Sequence, residues 1–354
     1  MPRGPPRRPP RPPLRCHRLA PQGDRMTAPP PDRPLVTFAL LAYNQEKYIR
    51  KALEGAFSQT YEPLEIILSD DCSSDRTYEI MQEMAAAYDG PHEVRVRRSE
   101  DNRGTLGHIL DVAQFANGTF LVVAAGDDIS LPERTARLIP CFTDTTVVAG
   151  SSDDEIIDES GSSLNTHLGR FDLRDSWYLH DPAWLHGASA VYRTSFLHDL
   201  PKSNAKLLYE DQIFSDLIGA MEKRAFRIKD QLIKYRFHDH NISSRHEKSL
   251  EATEAAAILR WERAAAAKDY CSNVLAKLSS GMPAKDSNRN QIQRDGEYFR
   301  LLSHWRRLSV HDRIKLLSLS IERGQFRTAA IRIFGYTIFI LIRRFQTMIL
   351  GKWA

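Results

Sequence analysis

The sequence predicts an α/β fold: a doubly wound, mainly parallel sheet flanked by helices, with a C-terminal helical extension. Three observations predict it. Short runs recur that are apolar on both faces, as buried parallel strands are. Between them lie segments whose apolar residues recur at helical spacing. Two of the runs end in paired carboxylates, Asp70-Asp71 after residues 64–69 and Asp127-Asp128 after residues 119–126. In an open parallel sheet ligands bind beyond the carboxyl ends of the strands, so both pairs point to one cleft. A third pair, Glu210-Asp211, precedes another apolar stretch. Carboxylates gathered in one place repel one another, which calls for a divalent cation or a hydrogen-bonding base. One pair alone fits a helix cap or a solvated turn equally well; three in this context favour the cleft.

The elements follow in order. Residues 35–42 read as a central strand, and the turn Tyr43-Asn44-Gln45 leads to a helix with Ile49, Ala52, Leu53, Ala56 and Phe57 on one face. After the strand ending at Asp70, Ser74 and Asp75 offer caps to a helix with Ile80, Met81, Met84 and Tyr88 inside. Val94-Arg95-Val96 reads as a short third strand. Asn102-Arg103-Gly104 turns into a helix over 106–116, and the strand ending at Gly126 follows. This alternation predicts the doubly wound domain. Residues 131–245 are less regular, with short strands expected at 147–149 and 188–192. Residues 247–320 read as helical, with a break at Gly281-Met282-Pro283.

Composition fits a soluble enzyme of one large domain or two smaller ones. The net charge is +4 over 354 residues, and residues 1–33 hold eight Arg against two Asp. That Pro/Arg-rich segment lacks periodic apolar residues and the apolar core of a secretory signal. It reads as a disordered tail with Met26 as the expected start, and without aromatics it is no nucleic-acid-binding arm. The four cysteines are widely spaced, without CxxC or zinc spacing, and read as reduced thiols of a cytoplasmic protein. No apolar run reaches about 18 residues. After Glu322 there is no acidic residue, and six Arg and Lys surround the apolar run 333–342. This reads as an interfacial helix on an anionic membrane surface at the inner face. A helix packed on the domain with a cationic outer face fits equally well.

Several motifs become specific when taken together. Residues 36–44 read VTFALLAYN, with Ile49 and then Ser58-Gln59-Thr60-Tyr61 downstream. Residues 66–77 read IILSDDCSSDRT. Asn102-Arg103-Gly104, Gly126-Asp127-Asp128, Tyr209-Glu210-Asp211 and the stretch from His238 to Ser243 follow. Their order and content over residues 35–245 resemble a family 2 glycosyltransferase, whose second strand ends in a DDGSxDxT motif. The resemblance implies a GT-A fold over residues 34–245, with a nucleotide-binding half (34–130), an acceptor half (131–245) and the helical extension at 246–354. It implies transfer of a sugar from a nucleoside-diphosphate sugar, a UDP-sugar being favoured, to a glycan or lipid-linked acceptor.

The resemblance also implies roles. Leu41, Tyr43, Asp71, Asn102, Gly104, Asp127 and Asp128 would surround the donor, Tyr43 packing near the base and Asp71 accepting from it. The diphosphate leaving group gains charge as its bond to the sugar breaks, and Mg2+ or Mn2+ with oxygen ligands stabilises it. Where the family usually has DxD this chain reads Ala125-Gly126-Asp127, so the first Asp is absent. Asp127 and the late His238 remain as expected metal ligands. Asp211, with Glu210 beside it, matches the position of the base that deprotonates the acceptor hydroxyl. A base opposite the leaving group implies inversion at the anomeric carbon. Without the resemblance, Glu210 and Asp211 read as N-terminal charges of a helix.

Two rivals remain at the level of sequence. A sugar-nucleotide nucleotidyltransferase has a related sheet, yet it places a Gly-rich phosphate loop with a basic residue where this chain has Tyr43-Asn44-Gln45. A non-catalytic nucleotide-binding scaffold is motivated by Ala125 and opposed by retention of Asp127, Glu210 and Asp211.

Overall fold

A computed structural model describes residues 33–164, 185–203, 207, 210–238, 241, 250–278 and 286–323. The expected tail, the expected interfacial helix after Arg323, Trp184, Tyr209 and the break at 281–283 lie outside these residues. By packing, the chain divides into two units. The first comprises residues up to Ile218 with 223–241, and the second residues 219–222 with those from 242 onward.

In the first unit the strands are β1 (Val36–Ala42), β2 (Leu64–Asp70), β3 (Glu93–Arg98), β4 (Phe120–Ala125), β5 (Ile129–Ser130), β6 (Val147–Ile157), β7 (Val191–Arg193) and β8 (Arg224–Arg236). The helices are α1 (Ile49–Phe57), α2 (Thr77–Ala86), α3 (Gly104–Ala113), α4 (Arg134–Leu138), α5 (Thr194–His198) and α6 (Glu210–Ala220). One mixed sheet runs in the order β3-β2-β1-β4-β7-β6-β8-β5. β3, β2, β1 and β4 are parallel, β7 is antiparallel to β4 and β6, and β6 runs parallel to β8.

The parallel half follows the sequence pattern. Every residue of β2 is buried, and the expected face of α1 is buried at Ile49, Ala52, Leu53 and Ala56. These join Phe38, Leu40, Ile66, Leu68, Ile80, Met81 and Val122 in one apolar core. Tyr88 completes the α2 face by stacking on Phe57, centroids 4.6 Å apart. A buried carboxylate, Glu65, ties the amino ends of the strands together. It accepts from Thr37 Oγ1 (2.5 Å), the Asn117 N–H (2.6 Å) and Arg95. Burial pushes Glu65 up, but these partners outweigh it and hold the carboxyl low.

Two expectations need correction here. The strand expected at 188–192 is a 3-10 turn, Gly187–Ser189, followed by β7 from Val191. The guanidinium of Arg134 takes the carbonyls of Ala188 and Ala190, which sets the path of this turn. Among the described thiols, Cys72 and Cys271 form no disulfide, whereas Cys141 is disulfide-bonded, against the expectation of four reduced thiols.

The second unit contains α7 (Leu250–Leu278), α8 (Asp286–Ser303) and α9 (Val310–Glu322). Val274, Leu275, Tyr298, Phe299, Leu302 and Leu316 are among its buried side chains. No helix among the described residues is long and apolar enough to cross a membrane.

Candidate active site

The carboxyl ends of β2, β1 and β4 are adjacent, and their register aligns the motifs. Ala42 pairs with Asp70, and Leu41 pairs with Ala125. The next backbone bonds continue the ladder past the strands, from the Asp71 N–H to Ala42 O (2.8 Å) and from the Gly126 N–H to Leu41 O (2.9 Å). Tyr43, Asp71 and Asp127 therefore leave neighbouring strand ends at one edge, the place where an open parallel sheet binds ligands. Leu41 is half-buried and Tyr43 is 47% exposed, so an aromatic face is open at this edge.

Most carboxylates of the β2 motif build the loops that follow. Asp70 Oδ2 accepts the Ser73 N–H and pairs with Arg98 Nε at 3.1 Å. Asp75, expected as a cap of α2, stands one position before the N-cap Arg76, which has no side-chain cap; its oxygens accept the Thr77 N–H (3.0 Å) and the Glu46 N–H (3.0 Å). Asp71, 3% exposed, accepts the N–H groups of Arg103 (2.9 Å) and Gly104 (3.0 Å). Asn102 Oδ1 also accepts the Gly104 N–H, at 3.1 Å. Gly104 has φ 70°, a left-handed backbone that suits glycine and lets its N–H turn toward both acceptors. Asp71, Asn102 and Gly104 are thus brought together as one loop clamp.

Beyond β4, Asp127 meets His238, with Oδ2 and Nε2 3.1 Å apart. The imidazole stacks on Tyr48 at 4.8 Å between centroids, and its backbone N–H donates to Asn241 Oδ1. Arg236 binds this corner from beneath. Its Nε donates to Asp127 O (2.9 Å), its Nη1 to the carbonyls of Asp158 and Glu159, and its charge lies over the Tyr48 ring at 5.1 Å. Asp128 is 5% exposed and accepts the Arg236 N–H (2.8 Å). Burial, and then the Asp127 charge, push the Asp128 carboxyl well up. The structure separates the pair: Asp127 lines the edge while Asp128 lies inside.

A metal is implied here by the family resemblance, and the donor pair can be tested for fit. Two ligands in adjacent positions of octahedral Mg2+ stand about 3 Å apart, given bonds of about 2.1 Å. Asp127 Oδ2 and His238 Nε2 have that separation. Among the described residues no cluster of three or more His, Cys, Asp or Glu forms a cage. A hard cation held by one or two protein groups beside phosphate oxygens and waters needs no cage, so the pair fits.

Glu210 and Asp211 open α6 and keep partial exposure. Gly187, in the 3-10 turn, lies against them: a Cβ on Gly187 would collide with the Glu210 carboxylate. Burial, and next the Glu210 charge, push the Asp211 carboxyl up to about 7, against hydrogen bonds from the N–H groups of Gln212 and Gly187. Burial also raises Glu210, opposed by a hydrogen bond from Thr105. The fully buried Tyr192 is pushed up by burial and then by both carboxylates, which places its ring near them.

Sequence reasoning missed Arg236, Tyr48, Thr105, Tyr192 and Arg134. Three of them act through hydrogen-bonding groups on distant segments, which no local pattern announces. Arg236 alone had a signal, standing two residues before His238 at the end of an alternating stretch.

Residues 37–200 match the family model described as Glycosyl transferase family 2. An uncharacterized protein of Mycobacterium tuberculosis is 42% identical over 89 residues, which is 25% of this chain and 25% of that protein. The chain thus spans about a quarter of the first curated relatives it matches. The succinoglycan biosynthesis protein ExoO of Rhizobium meliloti is 35% identical over 106 residues, 30% of this chain and 29% of ExoO. An uncharacterized glycosyltransferase of Haemophilus influenzae is 23% identical over 60% of this chain and 68% of its own. Among solved structures, the Pyrobaculum calidifontis mannosyltransferase PcManGT, in complex with GDP-Man and Mn2+, superposes with TM-score 0.51. Its identity is 16%, over 90% of this chain and 88% of that one. S. aureus TarS 1-349, in complex with UDP-GlcNAc, gives TM-score 0.52 at 15% identity over 90% and 93%. At such identities these structures speak for the fold, which is the GT-A fold. With the motifs of β1, β2 and β4 gathered at one sheet edge, residues 37–200 are similar to glycosyl transferase family 2, on a GT-A fold.

Proposed function

We propose that this protein transfers a sugar from a nucleoside-diphosphate sugar to an acceptor hydroxyl, with inversion at the anomeric carbon. The observation that carries the reading is Asp211, a partly exposed carboxylate at the start of α6 whose pKa is pushed up to about 7. A general base works best with its pKa near the operating pH. Asp211 takes the acceptor proton, and Glu210 beside it sustains that basicity through its charge.

On the donor side, Tyr43 offers its exposed ring to the base, and the Asp71 clamp shapes the adjoining loop. Asp127 and His238 would hold Mg2+ or Mn2+, which when bound neutralises charge growing on the diphosphate. A UDP-sugar is the favoured donor because a carboxylate near the base suits N–H donors of uracil. The name of ExoO, a succinoglycan biosynthesis protein, supports a role in surface-polysaccharide or glycolipid assembly. Attachment to the inner membrane face through residues 323–354 rests on the charge pattern of the sequence.

The test offers purified protein a panel of UDP- and GDP-sugars with Mg2+ or Mn2+, with and without a glycan or lipid extract. Nucleoside-diphosphate release that depends on the extract supports the reading. Pyrophosphate-linked nucleotidyl exchange in place of that release would support the nucleotidyltransferase alternative.

A further inference from the structure

Among the described residues, Arg134 is the largest side chain sealed completely inside the protein. An unpaired guanidinium would be prohibitive there, so its hydrogen bonds show what it is for. Nη2 donates to Val123 O in β4 at 2.6 Å and reaches Ala188 O and Ala190 O at 3.2 and 3.4 Å. Nη1 donates to Ser130 Oγ at 2.8 Å. A planar fork with several donors can bridge carbonyls of two segments at once, and an ammonium cannot do this with the same geometry.

The bridged segments matter because of what lies next to them. Ala188 follows Gly187, whose N–H donates to Asp211 and whose Cα packs against Glu210. Ser189 ties the same turn to β6: its Oγ donates to Ser152 O at 2.8 Å. The 3-10 turn therefore has one face on Arg134 and the other on the acidic pair. We propose that Arg134 is a positioning residue for Asp211, holding the turn that fixes the orientation of that carboxylate toward the acceptor.

This rests on Asp211 being the acceptor base. Arg134 touches no reacting atom, so its removal acts through geometry. Displacement by about 1 Å of a positioned group can cost on the order of 10²-fold in rate. The charged and titratable groups in this neighbourhood are Glu210 and Tyr192 facing Asp211, and Asp128 and His186 facing Arg134.

The test compares wild type, Arg134→Lys, Ser130→Ala and Asp211→Asn in acceptor-dependent transfer, after the folded state of each is checked by circular dichroism. Arg134→Lys keeps a charge but loses the fork. Its kcat should fall by about 10–10², while the donor dissociation constant stays within about two-fold. The acidic limb of its pH–rate profile should move to higher pH, because the Gly187 N–H no longer favours the Asp211 carboxylate. Ser130→Ala, which loosens the guanidinium at one nitrogen, should move both readouts the same way and less. A folded Arg134→Lys with unchanged kcat and pH limb overturns the proposal. If Arg134→Lys does not fold, Ser130→Ala decides, and unchanged kcat and limb there overturn it. Full activity in Asp211→Asn would instead remove the base assignment beneath the proposal, a result distinguishable from the first.

Discussion

Asp127 and His238 lie 111 positions apart in the chain and stand 3.1 Å from each other at the edge of the sheet. Their contact depends on β8 lying in the same sheet as β5, and on Arg236 binding both the Asp127 carbonyl and the Asp128 carboxylate. A divalent cation bound by the pair would take ligand atoms already at adjacent-site spacing.

The first prediction concerns that pair. Activity should require Mg2+ or Mn2+. Asp127→Ala and His238→Ala should each weaken metal-dependent nucleotide binding by roughly 10–100-fold, the cost usual for loss of a metal-supporting group. Binding without metal should change little. Titration of nucleotide by calorimetry with metal and with chelator checks this, and full activity after exhaustive chelation would contradict it.

The second concerns pH. A base with pKa about 7 is protonated below that value, so acceptor-dependent kcat/KM should fall as pH drops through 7. Glu210→Gln removes the negative neighbour that raises Asp211, and the limb should move to lower pH. The same shift has a stability sign. A carboxyl whose folded pKa is raised loses stability as pH rises from its unfolded value of 3.8 through about 7. Asp211→Asn should therefore raise Tm at pH 8 more than at pH 4, by about 2–4 °C for each kcal/mol relieved.

The third concerns a buried histidine away from the site. His108 is held neutral by burial, and next by Arg97, with its pKa lowered to about 3; its Nε2 lies 2.6 Å from Ser69 Oγ. A histidine depressed in this way costs stability as pH falls from 6.5 toward 3, because only the unfolded chain takes up the proton there. The slope approaches about 1.4 kcal/mol per pH unit for one proton. His108→Gln should lower stability at pH 8 by about 1 kcal/mol and flatten the decline between pH 6.5 and 4. Urea unfolding at several pH values checks both parts.

The fourth concerns the loop clamp. Gly104→Ala forces a Cβ into a left-handed backbone at a cost of about 1–2 kcal/mol. Asp71→Asn replaces one of two acceptor oxygens that meet backbone N–H groups. Both should raise the donor dissociation constant by on the order of 10-fold, with kcat at saturating donor less affected. An unchanged donor affinity in both variants would separate the clamp from the nucleotide site.

Legibility from sequence followed the locality of the physics. β1, β2 and β4, their carboxylate ends and the inner face of α1 could be read directly, because burial on both faces and helical periodicity are written in adjacent residues. β8 was not seen. Its run RAFRIKDQLIKYR interrupts the alternation at Lys229-Asp230, and only Phe226, Leu232, Ile233 and Arg236 are buried along it. β6 was read only at its apolar start, since Ser151 to Glu155 form a polar continuation whose pairing depends on β8. At the site, the motif carboxylates were legible by type and order but not by job. Asp70, Asp71 and Asp127 share one motif logic, yet one anchors Arg98, one clamps a loop and one meets His238. Those differences arise from partners far off in the chain. Arg134 illustrates the limit: a lone Arg at the head of a five-residue helix gives no sign that it is fully buried.

The account turns on Asp211, and one measurement addresses it directly: acceptor-dependent nucleoside-diphosphate release by Asp211→Asn beside wild type, with donor affinity determined in the same samples. The predicted result is a fall in turnover on the order of 10²–10⁴, with donor affinity within a few fold of wild type. Wild-type turnover in the variant would contradict the account.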